Sequence, residues 1–294
     1  MPALFYSPST TDQVDLEEIR HRLGDAMQSE VTLHGLHDLD GWEPDATTAR
    51  VFAMGGDGTV HAVASRLAQV AVAQRPTLAP IPLGTGNDFA RALGYRLEDF
   101  EAGFALATGD SVARVDLGRW GERAFVNAIT LGFGAEATRD NPETLKDVAK
   151  GFSYALLTAW KAIAAEPFEL TVEMEEETWE GSVIAACVLN GGYIGGGFPA
   201  GFDARLADGK LDLAIVPAVA LEDVPAVIED WKTRDRRSFQ HIVYRQLRAA
   251  ELRCSRPVAA SLDGEVDELE RCPLRVESAA LEVTADPGAE QALV

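Results

Sequence analysis

The sequence predicts a chain in two parts: an α/β domain over residues 1–115 and a mainly antiparallel β domain over 116–284, with 285–294 available to complete the first. Three observations carry this reading. Two short β runs each stop at a glycine-rich turn and continue as a helix, the pattern of an α/β sheet whose strand ends bind ligands. From about Val112 onward strand-like segments dominate, at Ala124–Ile129, Glu169–Met174, Gly181–Leu189 and again between Glu251 and Val283. The length of 294 residues and the hydrophobic fraction of 47% suffice for two buried cores.

The elements follow in order. Ala3–Tyr6 is an apolar run closed by Ser7-Pro8 and reads as a first strand. Leu16, Ile19, Leu23 and Met27 recur at helical spacing, so Leu16–Met27 reads as a helix. Val31–Leu36 reads as a strand, and Gly41–Thr48 as a loop or helix start. Arg50–Met54 is a β run that stops at Gly55-Gly56-Asp57-Gly58, before a helix over Val60–Ala73 with Val63, Leu67 and Val70 on one face. Thr77–Leu83 is a further strand, and it ends at Gly84-Thr85-Gly86-Asn87-Asp88 before a short helix over Phe89–Leu93. In the second part, helical patterns at Pro142–Ala165 and Leu221–Trp231 interrupt the strands.

The charge balance narrows the function classes. Lys+Arg is 26 and Asp+Glu is 47, a formal net charge of −21. Such a surface repels nucleic acid phosphates, which argues against nucleic-acid binding. It equally opposes a large static footprint on an anionic membrane. Three cysteines without CxxC spacing argue against a disulfide framework and for reducing cytosol. The N-terminus lacks a basic start followed by an apolar run, and no eighteen-residue apolar stretch occurs, so neither a signal peptide nor a membrane span is expected.

The chemistry concentrates in the glycine-rich turns. In Gly55-Gly56-Asp57-Gly58-Thr59, glycines let backbone N–H groups approach a phosphate, and the helix start behind them adds partial positive charge. Asp57 is a hard carboxylate suited to Mg²⁺, and Thr59 can cap the helix or donate to phosphate. In Gly84-Thr85-Gly86-Asn87-Asp88 a second wall is available, with Asn87 and Asp88 capping the helix or holding the loops together. Taken alone, the later stretch Ser261-Leu262-Asp263-Gly264-Glu265 reads as a β-turn with Asp-Gly at its tip.

GGDGT followed by PLGTGNDFAR resembles the diacylglycerol kinase catalytic family. The resemblance continues through NAITLGFGAE from Asn127, the Asn190 turn NGGYIGGG, RLADGKLDL from Arg205 and the Asp263-Gly264-Glu265 motif. The spacing and NPETLKDVAKGFSY resemble the YegS-like branch most. This resemblance implies a Rossmann-like nucleotide-binding domain followed by a β-sandwich, the plan that NAD kinases share. It implies a kinase that transfers the γ-phosphate of ATP to a lipid hydroxyl such as that of diacylglycerol or phosphatidylglycerol. The nucleotide would be held by Gly55, Gly56, Asp57, Gly58, Thr59, Val60, His61 and Ala62, with Gly84, Thr85 and Asn87. Glu265 and Asp263 would be the catalytic acids, with Glu265 the usual base. A second, structural metal, Mg²⁺ or Ca²⁺, would be held by Asp208 and the carbonyls of Arg205 and Lys210.

The same resemblance implies a cytoplasmic enzyme that visits the membrane surface only in passing, with a homodimer left open. Residues Tyr193–Phe202 would support acyl chains or belong to the core. Departures are visible: His61-Ala62 stands where the family has Asn-Glu, and Ser7-Pro8-Ser9-Thr10-Thr11 where it has Asn-Pro-x-Ser-Gly. His37 is the nearest equivalent of a nucleotide-contacting Thr. Two other readings stay open: a soluble NAD kinase-like enzyme, and a silent regulator that binds nucleotide or lipid.

Overall fold

The computed structural model describes residues 1–10, 12–132, 166–233, 237 and 239–289. The chain divides into two compact units. The first comprises Met1–Leu117, Leu206–Asp208 and Ser278–Val294; the second comprises Gly118–Arg205 and Gly209–Glu277. The chain thus returns to its first unit at Ser278, earlier than the expected 285, because one long strand, β13 (Glu265–Thr284), runs past the division without a break.

The first unit is built on parallel strands. β1 (Ala3–Tyr6) lies between β2 (Thr32–Gly35) and β3 (Arg50–Gly55), and β3 pairs in parallel with β4 (Thr77–Pro82). The end of β13 adds to β4 at Val283↔Leu78. β3 and β4 are buried almost throughout, which is why they read as continuous apolar runs and not as alternating ones. Phe5, Phe52, Met54, Leu78 and Ile81 fill the interior with Leu23 of α1 (Leu16–Met27) and Leu67 of α2 (Asp57–Leu67).

α2 begins and ends earlier than Val60–Ala73. Gly56 is its N-cap, so the glycine turn is the first turn of the helix. Its end is fixed by Arg75, whose guanidinium donates to the carbonyls of Ala68, Val70 and Ala280 at 2.7–3.0 Å and so satisfies carbonyls that a longer helix would have used. The short helix after the second turn is α3 (Asp88–Ala92). A further helix, α4 (Phe100–Thr108), was not expected. Asp99 caps it through Ala102 N–H at 3.0 Å, and Phe104 and Ala107 form its buried face.

The second unit is antiparallel. β7 (Ala128–Gly132) pairs with β9 (Thr178–Leu189) and β12 (Ala249–Leu262). β9 pairs with β10 (Leu211–Pro217), and β10 with β11 (Val243–Leu247). β8 (Phe168–Met174) joins β9 and β12, and β12 folds back onto β13. β5 (Val112–Trp120) enters this unit at Gly118 and pairs with β6 (Arg123–Phe125). Phe125, Ile129, Leu170, Val188, Leu213, Leu252 and Leu262 share one core.

The expected strand Ala124–Ile129 is two strands, because the N–H groups between them turn to a carboxylate instead of a neighbouring strand. A helix, α5 (Val224–Thr233), lies where Leu221–Trp231 was expected. The helix expected over Pro142–Ala165 lies outside the described residues, as do NPETLKDVAKGFSY and the end of NAITLGFGAE.

Candidate active site

In the first unit the two glycine turns interlock. A Cβ on Gly84 would stand 2.3 Å from Gly56 Cα, and one on Gly56 would stand 3.1 Å from Gly84 Cα. Leu83 N–H donates to Gly55 O at 2.9 Å, and Phe89 N–H, at the start of α3, donates to Asp57 Oδ1 at 3.3 Å. The two strand ends are thereby held together backbone to backbone.

The residues within it differ in what they do. A Cβ on Gly55 would lie 2.3 Å from Thr59 Oγ1, so Thr59 is folded back over Gly55 and is only 4% exposed. Val60 and His61 are buried in α2, and His61 Nε2 lies 3.4 Å from Ser65 Oγ. Asn87 takes a left-handed φ of 53° and grips its own loop: Oδ1 accepts from Gly84 N–H at 3.0 Å and Nδ2 donates to Gly84 O at 2.6 Å. It therefore shapes the loop and does not cap α3, for which it makes no side-chain bond.

Gly58 and Thr85 stand apart from this packing. Thr85 is exposed, and a Cβ on Gly58 would meet nothing within 4 Å. The fold gives no reason for glycine at 58, where alanine would suit the helix better by about 1 kcal/mol. Glycine at 58 leaves the start of α2 open to an approaching group. His37 follows the end of β2 in a 3₁₀ turn, its ring folded over Gly35 and 3.3 Å from Asp38.

In the second unit, Asp263 and Gly264 form a two-residue hairpin between β12 and β13, with φ of 47° and 97° and the pair Leu262↔Glu265 closing it. The Asp263 carboxylate is a clamp. Oδ2 accepts from Val126 N–H at 2.7 Å, and Oδ1 accepts from Asn127 N–H at 2.9 Å and Ala128 N–H at 2.8 Å. Glu265 is the exposed acid of the motif. Arg123 reaches it at 3.2 Å and Asp267 at 2.6 Å. An exposed pair of this kind is worth at most about 1 kcal/mol and leaves the carboxylate reachable.

Of the remaining expected residues, Asp208 belongs to the first unit and Arg205 and Lys210 to the second. Gly209 takes a φ of 71°, the left-handed turn that the Asp-Gly spacing requires. Among the described residues no three His, Cys, Asp or Glu side chains gather as a metal cage. The expected set contains one carboxylate and two carbonyls, so it does not depend on such a cage. Phe198 is exposed and stacks on Trp231, and Phe202 packs among Trp231, Phe239 and Tyr244, which places Phe202 in a core and Phe198 at its edge.

The described parts are an α/β unit with two interlocked glycine loops and a β unit that carries exposed acids. The sequence matches the diacylglycerol kinase catalytic domain over residues 16–120 and the YegS C-terminal NAD kinase beta sandwich-like domain over 127–288. A protein named probable lipid kinase YegS-like from Chromohalobacter salexigens is 33% identical over 75% of this chain and 71% of its own length. One named diacylglycerol kinase from Bacillus subtilis is 32% identical over 73% of this chain and 70% of its own length. A crystal structure described as a diacylglycerol kinase from Bacillus anthracis str. Sterne aligns with a TM-score of 0.75 over 98% of this chain and 97% of that one, at 23% identity, which speaks for the fold. The chain belongs to the YegS-like lipid kinase family. No helix among the described residues is long and apolar enough to cross a membrane.

Proposed function

We propose that this enzyme uses ATP and Mg²⁺ to phosphorylate a hydroxyl on a lipid head group. The observation that carries the reading is the interlock of Gly56 with Gly84 beside Gly58. The first two are glycine because the loops touch, whereas a Cβ added at the third would meet nothing within 4 Å. Backbone N–H groups at the start of α2 would hold the nucleotide phosphates, with Thr85 on the second loop. Asp57 would ligand the metal that neutralises phosphate charge; its carboxylate is a hard donor, already positioned by Phe89 N–H.

In the transfer, the acceptor oxygen forms a bond to the γ-phosphorus as the bond to the β–γ bridging oxygen breaks. ADP leaves, and the hydroxyl proton passes to Glu265. Asp263 is a positioning residue: it holds Glu265 in place by fixing the hairpin to the 126–128 backbone. Asp208, with the carbonyls of Arg205 and Lys210, would bind a second divalent ion of structural importance. The enzyme would meet the membrane transiently, and its charge of −21 makes salt favourable on anionic vesicles.

The test is transfer of labelled γ-phosphate from ATP with Mg²⁺ to vesicles containing diacylglycerol, phosphatidylglycerol or sphinganine, with NAD as the soluble control. Labelling of a lipid and not of NAD is expected. Labelling of NAD alone would replace this reading with that of an NAD kinase.

A further inference from the structure

Glu265 shares its arginine with a second acid, and the sharing is unequal. Glu265 and Asp267 stand two residues apart on β13 and so face the same way. Arg123 opens β6 and pairs with Trp120 across the turn from β5, with its guanidinium carbon 5.2 Å from the centre of a Trp120 ring. Nη1 donates to Asp267 Oδ2 at 2.6 Å, whereas Nη2 lies 3.2 Å from Glu265 Oε2. A charge-assisted bond of this kind is ordinarily about 2.7–2.9 Å long, so the first is a full bond and the second a slack one. Asp267 is itself held, because its Oδ1 accepts from Glu268 N–H at 2.8 Å. The guanidinium is therefore seated by Asp267 and the indole, and it reaches Glu265 from that seat.

A cation beside a base acts in two opposed ways. It orients the carboxylate, and it also favours the ionised form, so a carboxylate gripped by an arginine is a poorer proton acceptor. Asp267 offers the same guanidinium a second negative charge and so limits the grip on Glu265. Without that charge the guanidinium fork would close on Glu265 with both nitrogens, the geometry that arginine and a carboxylate prefer. The side chains of Arg123, Asp267 and Glu265 are 40%, 49% and 60% exposed, so the effect is electrostatic, modest and screened by salt.

We propose that Asp267 is a positioning residue that acts through Arg123: it draws the guanidinium off the Glu265 carboxylate, and so leaves Glu265 oriented yet able to take the proton of the acceptor hydroxyl. Glu265 is the base in the lipid kinase reading above, and the proposal rests on that reading. Asp267 itself exchanges no proton and touches no substrate. Its whole effect passes through one guanidinium, so removing Arg123 should make Asp267 irrelevant to the rate. Salt should weaken the effect as well, because no fixed geometry stands behind it.

The test is a cycle of variants in the full-length enzyme. Each is assayed with ATP and Mg²⁺ on mixed micelles of diacylglycerol or phosphatidylglycerol, whichever the native enzyme labels faster. Asp267→Asn keeps the size of the side chain and should lower kcat about fivefold at low salt, the scale of one exposed ion pair, with the KM for ATP and Tm unchanged. Relative to the native enzyme at the same salt, the loss should shrink below about twofold in about 1 M NaCl. Adding Arg123→Gln to Asp267→Asn should restore kcat to that of Arg123→Gln alone, and adding Asp267→Asn to Glu265→Gln should slow that variant no further. A native rate for Asp267→Asn, a loss that Arg123→Gln does not relieve, or one that salt leaves untouched would overturn the proposal; the last two are what a merely structural Asp267 would give. A native enzyme that labels no lipid, or a Glu265→Gln enzyme at the native rate, would refute the underlying reading and the proposal with it, and these controls tell the two failures apart.

Discussion

The two ends of the proposed chemistry are made in opposite ways. The glycine turns of the first unit work by the absence of side chains: Gly56 and Gly84 touch backbone to backbone, and one Cβ on either would separate them. The acidic turn of the second unit works by a side chain: Asp263 gathers three N–H groups and so fixes where Glu265 begins. A phosphate needs a surface of donors that nothing obstructs, whereas a proton acceptor needs one carboxylate held at one place. Conserving volume is what matters in the first region, and conserving charge is what matters in the second.

Substitutions should divide along that line. The largest effect belongs to Asp57→Asn, which keeps shape and the Phe89 N–H bond but removes the charge a metal requires. Activity should fall by about 100- to 1000-fold, several kcal/mol of transition-state stabilisation, with the thermal midpoint unmoved. Steady-state kinetics beside calorimetry checks this, and near-native turnover would remove Asp57 from metal binding.

Asp263→Asn comes next, and its effect should be on stability. The amide keeps one acceptor but turns an N–H group toward a backbone N–H. Losing charge-assisted bonds there should cost about 2–3 kcal/mol and lower Tm by roughly 5–10 °C. A variant that melts like the native protein but is inactive would make Asp263 a chemical group and not a clamp.

The glycines sharpen the contrast further. Gly84→Ala should lose about 1–3 kcal/mol because its Cβ meets Gly56 Cα, a backbone atom that cannot swing away. Gly58→Ala should be neutral or stabilising by up to about 1 kcal/mol, yet raise the KM for ATP about tenfold. If Gly58→Ala binds ATP normally, the open space at 58 is not a phosphate site.

The smallest effect concerns a clamp in water. Asp45 accepts from Thr47 N–H, Thr47 Oγ1 and Thr48 Oγ1 at 2.7–2.9 Å, and these bonds hold its carboxyl down at about 2. Its folded pKa is depressed, so its contribution is present at neutral pH and is lost as pH falls from about 4 through about 2. NMR titration of Asp45 in native protein and in Thr47→Val should show the pKa rising in the variant, with little change in Tm at pH 7.

Much of this was legible in the sequence, for physical reasons that differ by region. Parallel strands buried on both faces write continuous apolar runs, so β3 and β4 stood out with the turns that end them. Gly55, Gly56 and Gly84 were legible as a group because glycine in a strand-to-helix turn has few other uses. What stayed hidden depends on contacts distant in sequence. Asp263 reads as an ordinary hairpin residue until its partners at 126–128 are seen, and the same bonds split the strand expected at Ala124–Ile129. The end of α2 is set by Arg75 and could not be read from Val70. α4 does not stand out in the sequence, although Asp99 carries a cap signal, because Gly103 interrupts its buried face and Gly109 follows its end.

The most direct test of the division of labour is to measure Glu265→Gln. The variant keeps the size of the side chain and the whole Asp263 clamp, and it removes only the proton acceptor. Single-turnover transfer of the ATP γ-phosphate to lipid should slow by about 100- to 10,000-fold, with ATP affinity and Tm as in the native enzyme. Transfer at the native rate by a folded Glu265→Gln enzyme would contradict the account.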